Sequence, residues 1–247
     1  MTISFPQAIG QAASWAYQAL RRQAHTSAAP PRTRLGRSSR PGSGRVAAVL
    51  VAACLWACPI ARADEFRPTA QSRIVPAGAT VETLWLDGEF TEGPTPDAQG
   101  AIFFSDIGNR ILRFDPESGE TREFRQPSGR ANGLKFDPKD RLIVCEGANT
   151  GGGRRLSITE PDGTIRTLAD AWRGRRFNSP NDLVLDRQGR VYFSDPRYVG
   201  DEPRELDFEG VFVVSPAGQV ELATSDVHKP NGIVLSPDGK RAYVADT

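Results

Sequence analysis

The sequence predicts an all-β fold of the propeller class, on three observations: a hairpin pattern that recurs four times, four short strands in each full recurrence, and no sustained 3.6-residue periodicity after residue 64. The four segments are Glu92-Gly93-Pro94 to Ser105-Asp106, Asn132-Gly133-Leu134 to Cys145-Glu146, Asn181-Asp182-Leu183 to Ser194-Asp195, and Asn231-Gly232-Ile233 to Ala245-Asp246. Their starts lie 40, 49 and 50 residues apart. Each runs from a polar opener through an apolar strand, a turn and a second apolar strand to an acid. The turns are Asp97–Gly100, Asp137–Asp140, Asp186–Gly189 and Pro237–Lys240, all rich in the residues that close hairpins.

Outer strands follow each hairpin. They are expected at Arg110–Phe114 and Thr121–Phe124, at Leu156–Thr159 and Thr164–Leu168, and at Gly210–Ser215 and Gln219–Ala223, joined by Pro/Asp/Ser/Gly turns. Units starting at 92, 132, 181 and 231 therefore supply about three and a half blades at 40–50 residues each. A closed ring of six would need roughly 100 residues more, so the chain reads as C-terminally truncated. Val81–Phe90 is strand-like, and in a complete ring it would serve as an outer strand closing the last blade.

Residues 1–63 read as a basic leader: they hold eight Arg, no Lys and no acid. The apolar run Val46–Ile60 follows Arg37, Arg40 and Arg45 and precedes Ala61-Arg62-Ala63, a small-x-small cleavage site. The run is too short to span a bilayer, which takes about 20 residues, so export to the periplasm or medium is expected with no transmembrane segment in the mature chain. Three alternatives stand beside cleavage near Ala63. The long Arg- and Ser-rich stretch also suits a transit peptide, a start near Leu35 would leave an ordinary signal, and Val51-Ala52-Ala53-Cys54 loosely fits a lipoprotein box. Residues 64–91 then form an N-terminal segment with one strand.

The chain as a whole is 38% hydrophobic and 25% charged with a net charge of +1, which excludes disordered and collagen-like classes. Beyond residue 63 it carries 23 basic and 30 acidic groups. That acidic balance argues against a nucleic-acid partner, which needs a basic face to displace counterions. Cys54 and Cys58 leave with the leader, and Cys145, alone in Leu142–Cys145, reads as a buried small hydrophobe.

The first strand of each blade lines the channel of a propeller, so the openers Glu92, Asn132, Asn181 and Asn231 should converge. One carboxylate and three amides form an oxygen-only donor set, which suits hard cations such as Ca²⁺ or Mg²⁺ at low affinity. Cys145 and His228 alone could not build a Cys/His zinc centre. Taken singly, an Asn-Gly opener reads as a turn; four in register read as a site. The terminal acids Asp106, Glu146, Asp195 and Asp246 read as turn-capping acceptors. Gly151–Gly153 followed by Arg154-Arg155 lacks a helix start and reads as a hairpin loop rather than an anion cradle. There is no Gly-x-Ser-x-Gly elbow, and His228 reads as shaping the loop before Asn231. The charged stretch Arg197–Phe208 reads equally as a lid over the channel mouth or a surface insertion.

Thr91-Glu92-Gly93-Pro94, Leu142–Glu146, Asn178-Ser179-Pro180-Asn181-Asp182-Leu183-Val184, and Lys229-Pro230-Asn231-Gly232-Ile233 with Ser236-Pro237-Asp238-Gly239 together resemble the gluconolactonase and senescence-marker-protein (regucalcin) family, over about residues 80 to 247. The resemblance implies a six-bladed β-propeller and a metal-dependent hydrolase of sugar-acid lactones. It implies a divalent ion, Ca²⁺ first with Mg²⁺, Mn²⁺ or Zn²⁺ as alternatives, held by Glu92 and Asn231 with Asn181 beside metal or substrate. Asn132 and Asp182 are the further substrate-binding candidates. The family's acid/base Asp, in a Pro-Asp-Gly motif one blade further on, falls beyond Thr247, so the catalytic residue is not assigned and impaired activity is expected of this chain. Relatives with a short Arg-x-Asn-Asp motif carry Arg where Ser179 stands, so Arg176 is not taken as a substrate contact. The rival reading is an exported propeller that serves as a binding scaffold, with a structural metal or none.

Overall fold

The computed structural model describes residues 2–4, 79 and 81–247. The apolar run at 46–60, the cleavage site near Ala63 and residues 64–78 lie outside the described residues. Among the described residues there is no helix, and none long and apolar enough to cross a membrane.

Every strand pairing is antiparallel, and the strands follow the repeats. β1 (Thr2–Ser4) belongs to the last sheet. β2 (Thr91–Pro96), β3 (Ile102–Asp106), β4 (Arg110–Phe114) and β5 (Thr121–Arg125) form the first four-stranded meander. β6 (Ala131–Phe136), β7 (Leu142–Glu146), β8 (Arg155–Thr159) and β9 (Ile165–Ala169) form the second. A short hairpin follows, β10 (Ala171–Trp172) with β11 (Arg175–Arg176). β12 (Leu183–Leu185), β13 (Val191–Asp195), β14 (Gly210–Val214) and β15 (Val220–Thr224) form the third meander. β16 (Pro230–Leu235) and β17 (Arg241–Asp246) open a fourth sheet, in which β1 pairs with β17. The expected strands are thus present to within a residue or two. Val81–Phe90 carries no strand; a strand is defined by its ladder, and no described strand pairs with it.

One turn chemistry closes the inner hairpins. Oδ1 of Asp97, Asp137 and Asp186 accepts two backbone N–H groups apiece, from Gln99 and Ala101, Lys139 and Arg141, and Gln188 and Arg190. These are Asx turns, which hold the two strands in register. In the last hairpin Ser236 takes the place of Asp and accepts from Arg241 N.

The cores lie between sheets, and the period-2 alternation of each middle strand explains why. Leu142 and Val144 of β7 face the first sheet, joining Phe103, Ile111, Ala131 and Leu134. Ile143 and Cys145 of the same strand face the third, in a larger core with Leu156, Phe177, Phe193 and Phe212. On β13, Val191 and Phe193 enter that larger core, while Tyr192 turns to a third core with Val211, Val227, Ile233 and Val244. A strand covered on both faces is an unbroken apolar run, which is how Leu-Ile-Val-Cys and Val-Tyr-Phe read. Consecutive sheets stacked through shared cores are the arrangement of propeller blades.

Candidate active site

Three inner strands are irregular at their openers. The ladder register shifts between Glu92 and Thr95, between Ala131 and Leu134, and between Pro230 and Ile233. Such a bulge bends a strand and re-aims its side chains. In the third sheet the opener precedes the strand, and Asn181 N is tied to Ser194 O at 2.9 Å. The residue after the opener is Gly93, Gly133, Asp182 and Gly232 in turn. Neighbouring backbones meet there: Gly133 N donates to Asn181 O at 2.7 Å, and a Cβ on Gly133 would stand 2.7 Å from that oxygen. Gly93, at φ +57°, approaches Asn132 as closely and tolerates no side chain.

The geometry places all four openers around one cavity of about 340 Å³. Glu92, Asn132, Asn181 and Asn231 line it together with Asp182 and Lys135. Asn181 is buried and the other openers are partly exposed. The Glu92 carboxylate forms no hydrogen bond or ion pair with any other described residue. Asn231 donates through Nδ2 to the Tyr198 hydroxyl at 3.0 Å, and its Oδ1 has no hydrogen-bond partner among the described residues. Asp182 accepts from Ile233 N at 2.9 Å through Oδ2. Burial pushes its carboxyl above the usual range, against the Ile233 and Leu183 N–H groups and the Lys135 charge.

A cavity of this size with convergent polar groups is of ligand-binding dimensions. Among the described residues no three of His, Cys, Asp and Glu cluster as a metal centre, so a cation here would depend on amide oxygens. Glu92, Asn181 and Asn231 do offer the all-oxygen set that hard divalent ions take. The openers were legible in the sequence through repetition. Lys135 was not: in an alternating strand it reads as a solvent-facing residue. Tyr198 was missed because it stands in a loop with no counterpart in the other repeats.

The terminal acids cap differently from the expectation. Asp106 accepts from Glu89 N and Phe90 N, Asp195 from Asn178 N and Ser179 N at 2.7 Å each, and Asp246 from His228 N and Lys229 N. They clasp the segment that leads into their own opener, 16 to 18 residues upstream, rather than the local turn. Glu146 departs from the set. It is buried and pairs with Arg125 of β5 at 2.6 Å and Arg155 of β8 at 2.8 Å. Asn109 Oδ1 clasps the second opener's approach instead, accepting from Ser128 N and Arg130 N.

The remaining candidates resolve as structural contacts. The N–H groups of Gly152, Gly153 and Arg154 are spent on the carbonyls of Asn149, Gly129 and Gly147, so no anion cradle forms. Arg176 donates to Gly153 O at 2.7 Å and does not line the cavity. The loop after Arg197 is strapped to the β7–β8 loop, where Glu202 accepts from Asn149 N at 2.8 Å, and to β11, where Glu205 accepts from Arg176 N at 2.8 Å.

Residues 90–247 match the SMP-30/Gluconolactonase/LRE-like region. A gluconolactonase of Zymomonas mobilis is 31% identical over 209 residues, covering 76% of this chain and 57% of that protein. A lactonohydrolase of Aspergillus oryzae is 26% identical over 151 residues, 55% of this chain and 34% of that one. The solved structure of a gluconolactonase from Xanthomonas campestris superposes with a TM-score of 0.61 at 32% identity, covering 67% of this chain and 57% of that chain. The chain thus spans little more than half the length of the Zymomonas and Xanthomonas relatives. With the repeated sheets and shared openers, the match establishes that the chain belongs to the SMP-30/gluconolactonase/LRE-like family.

Proposed function

We propose that the protein is a metal-dependent hydrolase of sugar-acid lactones, of the six-bladed propeller type, whose cation lies in the cavity of the four openers. The convergence of Glu92, Asn132, Asn181 and Asn231 on that cavity carries the reading. Glu92, Asn181 and Asn231 would hold the ion, Ca²⁺ first, with Mg²⁺, Mn²⁺ or Zn²⁺ as alternatives. A divalent ion in such a site supplies Lewis-acid polarisation of a carbonyl oxygen. Asn132 and Asp182 would bind the ring hydroxyls, the amide both donating and accepting and the carboxylate accepting. Lys135 sets a positive charge against Asp182 on the cavity wall. The substrate class follows the gluconolactonases of Zymomonas mobilis and Xanthomonas campestris. Export to the periplasm or medium is part of the proposal and rests on the leader's composition.

The test is proton release from glucono-1,5-lactone by a purified form with the full length of its relatives, with Ca²⁺ and after chelation, compared with Glu92→Ala and Asn231→Ala; activity of the 247-residue chain alone is expected to be impaired. Chelator-sensitive hydrolysis that both substitutions abolish supports the reading. Turnover that ignores the chelator and both substitutions overturns it.

A further inference from the structure

The loop between β13 and β14 places one side chain against an opener. Tyr198, half exposed, has its hydroxyl 3.0 Å from Asn231 Nδ2. The same hydroxyl is hydrogen-bonded to Thr247 Oγ1, and Thr247 Oγ1 lies 3.5 Å from Lys229 O. The ring is fixed independently. Lys229 Nζ stands 5.1 Å from its centroid and is itself held by Arg197 O and by Glu209 Oε1, each at 3.0 Å. A cation over an aromatic face is attracted by the ring quadrupole, so the tyrosine is held at ring and hydroxyl together.

The direction of this chain follows from what each group can do. A backbone carbonyl only accepts, so the Thr247 hydroxyl donates to Lys229 O. Thr247 Oγ1 then accepts the Tyr198 proton. With that proton committed, Tyr198 can only accept from Asn231, and the amide must present N–H to it. Its oxygen is left to the cavity that Glu92 and Asn181 also line. An amide alone has no such preference, because its oxygen and nitrogen ends are nearly the same shape.

We propose that Tyr198 is a positioning residue that fixes the Asn231 amide with its oxygen toward the cavity. The proposal deepens the cation-binding reading and rests on it for its consequence, that a cation meets a donor oxygen rather than N–H.

Tyr198→Phe removes the hydroxyl and keeps the ring against Lys229. In the ¹⁵N-labelled full chain, the Asn231 side-chain amide cross-peaks, identified by their loss in Asn231→Asp, should shift and exchange faster with solvent in this variant. Thr247→Val, which removes no hydrogen bond to Asn231 but frees the Tyr198 proton, should move the same peaks to a smaller extent. In calorimetric titration with Ca²⁺, Tyr198→Phe should weaken binding about tenfold, the scale of one hydrogen bond. Asn231 peaks that ignore both substitutions overturn the proposal. Peaks that move in a protein whose wild-type form takes up no Ca²⁺ uphold the positioning and remove the cation reading instead.

Discussion

Ser105 sends its hydroxyl across a sheet boundary to the backbone carbonyl of Asn132, at 2.8 Å. Its oxygen also lies 3.1 Å from Glu92 O, the opener of its own sheet. Ser194 repeats the arrangement two sheets on, between Asp182 O and Asn231 O. The residue before the terminal acid thus ties one inner strand to the next, and both serines are fully buried. Each of Ser105→Ala and Ser194→Ala should lower unfolding stability by about 1–3 kcal/mol, because a buried carbonyl loses its donor. Urea titration measures it; a loss in neither variant would show that the contact carries no net energy.

Glu146 is the buried centre of an ion triad with Arg125 and Arg155. Glu146→Ala should destabilise the protein by about 3–5 kcal/mol, since Arg125, almost as buried, would be left with an uncompensated charge. Glu146→Gln should cost less by keeping an acceptor in place. Equal midpoints for wild type and Glu146→Ala in denaturant would remove the triad from the account of stability.

Phe193 packs edge-on to Phe177 at 4.9 Å between ring centres and stacks on Phe212 at 5.6 Å. It is wholly buried in the largest core. Phe193→Ala should cost about 3–5 kcal/mol, from lost burial and the cavity left behind, while Phe193→Leu should cost less. Thermal and urea unfolding of the two variants give the comparison.

Asp106 and Asp195 make the same clasp and titrate in opposite directions. Burial pushes both up. At Asp106 the Phe90 N–H and Arg110, at 2.9 Å, outweigh it and hold the carboxyl low. Asp195 is buried with no ion-pair partner among the described residues, and it rises to about 7 despite the N–H groups of Asn178 and Ser179. Unfolded, it returns to an ordinary value near 3.8. Between those values the native state holds the extra proton, so Asp195's contribution is full below the unfolded value and is lost as pH rises through 7. Denaturant midpoints between pH 4.5 and 8 should therefore show a falling component that Asp195→Asn removes. An identical slope in both proteins would place the titration elsewhere.

The strands were legible because alternation and Asx turns are local signals that the chain repeats. β10 and β11 were not, as Ala171-Trp172 and Arg175-Arg176 are too short to show a period; only Arg173-Gly174, both at positive φ, marks their turn. The openers were legible as a set, since equal position in a repeat implies convergence without any view of the fold. The partners of the terminal acids were not. Asp195 reaches back to Asn178 and Ser179 along a geometry that exists only once β12 and β13 are paired. Tyr198 is the plainest limit of reading by repeats: it is a single residue in an irregular loop, and its relation to Asn231 is spatial alone.

Because the apolar cores lie between sheets and the openers hang at their inner ends, the cavity's chemistry is separable from what keeps the chain folded. Replacing an amide by a carboxylate at Asn132 or Asn181 changes the charge facing a ligand and leaves the Phe193 and Val144 packing as it was. Neighbouring openers come from different hairpins, so the donors can be altered one at a time. An architecture of this kind lets ligand preference drift by single substitutions with little structural penalty.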